Sequence, residues 1–199
     1  MGKDWKGNSK STFSTLGASS HSEGERQEHD YCATDPKAIE LLLKLESFNN
    51  VWEPACGQGH LSEVLKKNGI HGRSSDLINR GYSNEVFDFL AIDNLEWNGD
   101  IITNPPFKYV KEFVEKSLQI TEIGAKIVMF LRIQFLETKD RREFFKSYPP
   151  KYVYVASSRI LCAMNGEFGK YKENGSASCY CWFIWENGYK GEIILKWFN

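Results

Sequence analysis

A short apolar run that ends in two consecutive prolines constrains this chain more than any other stretch. It is Ile101-Ile102, inside Gly99-Asp-Ile-Ile-Thr-Asn-Pro-Pro-Phe-Lys108. The run reads as a buried strand that stops at a sheet edge. Pro105 and Pro106 lack an N–H and have a fixed φ, so the turn is stiff and cannot continue a ladder. Asn104 is the last polar side chain before the turn, and Phe107 is an aromatic ring thrust out after it. Tyr109, Val110, Phe113, Val114, Ser117 and Leu118 then recur at helical spacing. The reading is strand, rigid turn, helix, with an amide and an aromatic plane at the C-terminal end of the strand, where ligands bind in open α/β sheets.

A second stretch has the same grammar. Val51-Trp52-Glu53-Pro54-Ala55-Cys56-Gly57-Gln58-Gly59 is a strand running into a glycine turn, followed by a helix with Leu61, Val64 and Leu65 on one face. Gly57 and Gly59 allow a tight turn and a close approach of backbone to a ligand. Upstream, Thr34 or Asp35 caps a helix whose first turn contains Pro36 and whose buried stripe includes Ile39, Leu42 and Leu43. Downstream come strands at 70–75, 83–87 and 127–131, a helix over 139–147, and strands at 152–155, 178–185 and 192–197. Residues 164–176 read as a long loop. Strands alternating with helices and ending in strands alone predict an α/β fold: a doubly wound, mostly parallel sheet with antiparallel C-terminal strands.

Composition bounds the function. The chain has 199 residues, 41% hydrophobic and 26% charged, as expected of a globular protein with one sizeable core. Net charge is −1, so a nucleic-acid site must rest on a local patch. No apolar run approaches the length of a membrane span, and no membrane partner is expected. The five cysteines, Cys32, Cys56, Cys162, Cys179 and Cys181, form no CxxC and read as reduced thiols in a cytoplasmic protein. Cys179 and Cys181 would share one face of a strand, but no second ligand pair accompanies them, so no metal is expected.

Asn104-Pro105-Pro106-Phe107 resembles the catalytic tetrapeptide of S-adenosylmethionine-dependent methyltransferases that act on planar amino groups. Glu53-Pro-Ala-Cys-Gly-Gln-Gly59 resembles the cofactor loop of the same enzymes, and it precedes the tetrapeptide by about fifty residues. The order of these motifs is similar to that of adenine-N6 DNA methyltransferases, and the end of the chain, from Ser178 onward, resembles small members encoded by bacteriophages and prophages. The resemblance implies a Rossmann-like methyltransferase fold working in the cytoplasm of a bacterial host. It implies S-adenosylmethionine as cofactor, S-adenosylhomocysteine as product, and DNA as substrate and partner, with the protein a monomer or weak dimer. Residues 29–199 would be one methyltransferase domain without a separate target-recognition domain. Tyr31 and Thr34 would border the methionine end of the cofactor, with Glu53, Pro54, Ala55, Cys56, Gly57 and Gly59 along its methionine and ribose part. Asp76 would accept the ribose hydroxyls with Leu77 on the adenine ring, and Asp88, with Phe89 beside it, would accept from the adenine amine. Asn104, Pro105, Pro106 and Phe107 would be catalytic, Asn104 also touching the cofactor.

Lys139, Arg141 and Arg142, with Lys146 and Lys151, form the densest basic stretch, and Arg159 flanks the long loop. They suit phosphate contacts, and equally a solvated helix face. Within the enzyme class, cytosine-N4, an RNA base and a protein glutamine stay open as alternative amines. Outside it, the alternative is a nucleic-acid-binding module without turnover. Residues 1–28 are rich in Ser, Gly and Lys and read as a flexible tail. Deleting them should leave the melting temperature within about 2 °C of the full chain in a thermal melt; a larger drop would mean that Trp5 or Phe13 packs on the body.

Overall fold

Short strands of β-branched and aromatic residues build the centre of the molecule. The computed structural model describes residues 31–83, 85–164, 166, 168 and 178–198, so the proposed tail and most of the 164–176 loop lie outside it. In chain order the elements are β1 (Cys32–Thr34), α1 (Pro36–Leu42), β2 (Val51–Glu53), α2 (His60–Lys67), β3 (His71–Ser74), β4 (Ile101–Thr103), α3 (Val110–Ile120), β5 (Lys126–Arg132), α4 (Lys139–Ser147), β6 (Tyr152–Ala156), β7 (Cys162–Met164), β8 (Tyr180–Glu186) and β9 (Ile194–Phe198). Single 3-10 turns occupy Phe89–Ala91, Phe107–Tyr109 and Ile133–Leu136. The helical stretch expected after the prolines therefore begins as a 3-10 turn. Its ring Tyr109 is exposed, while Val110, Phe113, Val114, Ser117 and Ile120 form the buried stripe.

Seven strands form one sheet in the order β3-β2-β4-β5-β8-β6-β9. The ladders β3-β2, β2-β4 and β4-β5 are parallel, and β8 is antiparallel to both neighbours. This is the expected α/β architecture. The last strand differs from a simple hairpin arrangement. Both edges of β8 are already hydrogen-bonded, to β5 and to β6, so after the Asn187-Gly188 turn the chain passes beyond β6 and β9 runs parallel to it. The strand expected at 83–87 is reduced to one parallel bridge between Asp76 and Val86.

The sheet buries both faces, as parallel sheets do. One face, with Ile102, Val128, Phe130, Trp182 and Ile184, packs on Ala38, Ile39 and Leu42 of α1 and Leu61, Val64 and Leu65 of α2. The other, with Ile101, Ile127, Met129, Cys181, Phe183 and Trp185, packs on Phe113 and Val114 of α3 and Phe144 of α4. Caps agree with the sequence. Asp35 Oδ1 accepts from Lys37 N at 2.9 Å with Pro36 at the first helical position, and Gly69 at φ 69° ends α2. Asp100, at the mouth of β4, accepts from Asn49 N at 2.8 Å and Lys126 N at 2.7 Å and thereby levels the starts of β4 and β5.

β1 and β7 form a separate antiparallel pair. The sulfurs of Cys32 and Cys162 meet across it, with Cα atoms 5.6 Å apart. Cys56, Cys179 and Cys181 stand apart from this pair. The two partners lie 130 residues apart in sequence, so only the β1–β7 ladder brings them together. Burial holds the Cys181 thiol far up, at about 12. Among the described residues no group of three or more His, Cys, Asp and Glu is gathered to hold a metal, and no helix is long and apolar enough to cross a membrane.

Trp182 is fully buried, its ring 4.7 Å from that of Phe130, and its Nε1 donates to Ala38 O at 3.1 Å, tying β8 to α1. Trp182→Ala should cost about 3–5 kcal/mol in denaturant unfolding, and Trp182→Phe clearly less, because the phenyl ring refills part of the volume.

Candidate active site at the centre of the sheet

The chain leaves β2 for β3 on one side and later returns to β4 and β5 on the other. The reversal lies between β2 and β4, which are hydrogen-bonded neighbours. Loops at the carboxyl ends of two such strands diverge and leave a crevice. The glycine loop follows β2 and the Asn104 turn follows β4, so the two stretches singled out in the sequence border one crevice.

Gly57 and Gly59 have φ of 55° and 81°, a region that side chains resist. A Cβ at either position would also run into a ring, Tyr31 over Gly57 and Tyr82 over Gly59. Asp76 Oδ2 accepts from Gly57 N at 2.7 Å and its Oδ1 from Ile78 N at 3.0 Å, so the carboxylate braces the loop. Each oxygen keeps a further lone pair for another donor. Tyr31 OH accepts from Gln58 N at 3.1 Å and lies 3.3 Å from His60 Nδ1, while the Arg80 guanidinium sits 4.5 Å over the Tyr31 ring. Cys56 and Pro54 are buried beneath the loop, Ala55 is half-buried and Leu77 is exposed at its outer side. Burial pushes the Cys56 thiol up to about 12.

Asn104 is half-buried. Its Nδ2 donates to Cys32 O at 2.9 Å and Thr34 Oγ1 at 3.0 Å, with Cys162 Sγ at 3.4 Å. Those partners set the orientation of the amide and turn its oxygen away from them as an acceptor. Pro105 is buried and Phe107 is 37% exposed. The Arg132 guanidinium, at the end of β5, lies 5.1 Å over the Phe107 ring, and the Tyr180 ring is 6.5 Å away. Arg132 and Tyr180 are absent from the sequence reading. They come from strands far along the chain, and the one available signal was that β5 and β8 end and begin at this same edge.

The remaining expected residues divide. Asp88 is exposed and its Oδ1 accepts from Leu90 N at 2.9 Å, capping a 3-10 turn. Phe89 points into the core, its ring 5.3 Å from Trp52 and 5.0 Å from Phe113, and so is a packing residue rather than a lining one. Lys139, Arg141 and Arg142 begin α4, which follows β5 on the crevice side. Arg141 there donates to Gln134 O at 2.8 Å and stacks 4.7 Å over Phe135, and Arg142 lies 3.5 Å from Glu143. Arg159 is exposed beyond the end of β6.

Glu53 is buried at the end of β2, where Ser62 Oγ donates to it. Ser62 lies 2.6 Å from Ser74 Oγ, which lies 2.6 Å from His71 Nε2, so a polar chain runs from Glu53 to the rim of the sheet. Desolvation holds the Glu53 carboxyl up at about 8, against the Ser62 hydrogen bonds, with Asp76 adding to the rise. A carboxyl whose folded value is raised binds a proton more tightly in the native state, so its contribution is complete below about pH 4.5 and declines up to about pH 8. Glu53→Gln removes the titration. Across pH 5 to 8 the wild type should lose melting temperature relative to Glu53→Gln, and parallel melting curves would show that Glu53 is already ionised in the fold.

No family model matches the chain, and no curated protein matches it in sequence. Solved structures do match its shape. A Listeria monocytogenes protein described as a class I S-adenosylmethionine-dependent methyltransferase aligns over 81% of this chain with a TM-score of 0.52 and 13% identity; the chain spans 62% of its length. A predicted O-methyltransferase of Agrobacterium tumefaciens aligns over 74% of this chain and 77% of its own, at 0.51 and 11%. The type IIG restriction endonuclease BpuSI aligns over 83% of this chain and 26% of its own, at 0.55 and 14%. At such identities the likeness concerns architecture. The chain has the fold of the class I S-adenosylmethionine-dependent methyltransferases.

Proposed function

We propose that the protein transfers a methyl group from S-adenosylmethionine to the exocyclic amine of adenine in DNA. One observation carries the reading. A glycine loop braced by a carboxylate and a stiff Asn-Pro-Pro-Phe turn border one crevice at the ends of two hydrogen-bonded strands.

The residues fit the cofactor. Its ribose hydroxyls need an acceptor, and Asp76 retains lone pairs beside the loop. Its methionine arm would lie along the loop, which Gly57 and Gly59, at φ of 55° and 81°, turn tightly beneath the Tyr31 and Tyr82 rings. Tyr31, Thr34, residues 53–59, Asp76, Leu77 and Asp88 would hold it. When bound, S-adenosylmethionine supplies a methyl group already activated by the sulfonium. The chain has correspondingly little to do. The adenine amine is a weak nucleophile because its lone pair is drawn into the ring. Asn104 Oδ1 and the Pro105 carbonyl would accept hydrogen bonds from its two N–H groups, favour a more tetrahedral nitrogen and stabilise the positive charge that develops there, and one of the two protons leaves to solvent once the methyl group is attached. Because Asn104 Nδ2 is held by Cys32 O and Thr34 Oγ1, the acceptor needs no reorganisation. Phe107 offers its exposed face to the base. Arg132, lying over that face, moves aside or packs against the base as it enters. In a duplex the adenine must leave the stack, at a cost of a few kcal/mol. The basic start of α4 suits the neighbouring phosphates.

The test is nucleoside mass spectrometry after incubation of DNA and RNA with the protein and labelled cofactor, beside calorimetry of cofactor binding. Labelled N6-methyladenine from DNA is the expected product. Asp76→Ala should weaken cofactor binding by about 1–3 kcal/mol. Asn104→Ala should lower kcat about 10²-fold with cofactor affinity within a factor of a few. Phe107→Ala should weaken productive substrate binding by about 1–3 kcal/mol, and Phe107→Trp should keep much of the activity. Label on cytosine, RNA or protein would move the activity to another amine. No heat and no product would refute the reading, as would a folded Asn104→Ala protein working at the wild-type rate.

A further inference from the structure

Among the described residues β9 is the outermost strand of the sheet, and only its inner edge is paired, with β6. Ile194 N donates to Lys151 O at 3.0 Å and Ser157 N donates to Phe198 O at 3.3 Å. In a parallel ladder this alternation turns the main-chain groups of Ile194, Lys196 and Phe198 inward and those of Ile193, Leu195 and Trp197 outward. The side chains there are apolar and open: Ile194 is 44% exposed, Leu195 46% and Trp197 65%. Natural sheets guard such edges with charge, proline or a bulge. Here no proline interrupts 191–198. The one cation on the strand, Lys196, is drawn back over the sheet, 3.7 Å from the Tyr152 ring centre and 3.1 Å from Tyr154 OH.

We propose that this edge is a homodimer seam, in which two copies of the chain pair antiparallel along β9 about a two-fold axis at Ile194. A symmetric pairing must be self-complementary, and charge chooses its register. With Ile194 opposite its own copy, Ile193 faces Leu195, Glu192 faces Lys196 and Gly191 faces Trp197. The outward-turned pair Ile193 and Leu195 then exchanges hydrogen bonds, and each Glu192 carboxylate meets the partner's lysine, twice per dimer. Moving the axis to Leu195 also satisfies the main chain, but it sets Glu192 against Phe198 and Lys196 against Ile194, leaving all four charges unpaired. The pairing extends one sheet through both copies. Because the strands oppose, the two crevices open toward opposite ends of the dimer and neither is covered.

The test is sedimentation of the full chain from about 1 to 100 µM, where mass action shows a dimer as a concentration-dependent mass. Wild type should dimerise. Glu192→Lys and Lys196→Glu should each weaken self-association about tenfold or more, since attraction becomes like-charge repulsion at both pairs. Mixing the two variants should restore a dimer, because every seam pair in the heterodimer is again of opposite sign. Should Lys196→Glu unfold for want of its contact with Tyr154, Leu195→Pro carries the test: it removes an outward N–H, leaves the β6 ladder intact, and should abolish the dimer. A protein monomeric at 100 µM overturns the proposal. So does a dimer indifferent to these substitutions, or an edge whose hydrogen-exchange protection disappears on deleting residues 1–30, which would make that segment the occupant.

Discussion

The parallel pairing of β2 with β4 is the contact on which the rest of the site depends. Trp52 N donates to Asp100 O at 2.9 Å, and Trp52 is the partner of Ile101 in the ladder. Strands paired in parallel end at the same edge, and because the chain winds outward from them in opposite directions, nothing from their own connections fills the space between. Any other neighbour for β2 would separate the glycine loop from the Asn104 turn. Trp52 itself is fully buried, with its Nε1 donating to Ser75 Oγ at 2.9 Å and the Arg73 guanidinium 4.5 Å above its ring, so its side chain ties β2 to the β3 stretch while its main chain ties it to β4.

Polar contacts around the crevice hold acceptors rather than create bases. Asp76 braces a backbone loop, Asn104 is held by its nitrogen, and the buried carboxyl of Glu53 is kept toward its neutral form by desolvation. The arrangement suits the chemistry proposed above, in which the leaving group is already activated and the protein would only orient an amine and receive its developing charge. The β1–β7 ladder bears directly on this. It supplies Cys32 O and Thr34 Oγ1, the two atoms that orient the Asn104 amide, from a stretch that precedes β4 by about seventy residues.

The two edges of the sheet are treated differently. At β3, His71 and Arg73 place polar groups at the rim, and Arg73 is paired with Glu85. At β9 the outer row is aliphatic and aromatic, with its lysine folded inward. An open edge of that kind is a template for another strand. That β9 continues a sheet whose other strands already enclose the core makes it an addition at the rim rather than part of the crevice.

Local rules alone determined much of this protein. The Asp35-Pro36 cap, the glycine turn after Val51-Trp52-Glu53, the stop at Pro105-Pro106 and the apolar period of α3 each follow from propensities within a few residues, and they suffice for an α/β fold with a glycine loop and an amide at strand ends. Tertiary structure decided whatever depended on partners distant in sequence. It set β9 beside β6, because β8 has no free edge. It reduced 83–87 to a single bridge, brought Cys32 to Cys162, turned Phe89 into the core and laid Arg132 over Phe107. The physical reason is one of range. Side-chain period and turn chemistry are fixed by neighbours, whereas strand order and the meeting of side chains from different strands are fixed by which edges and faces remain to be paired once the core has closed.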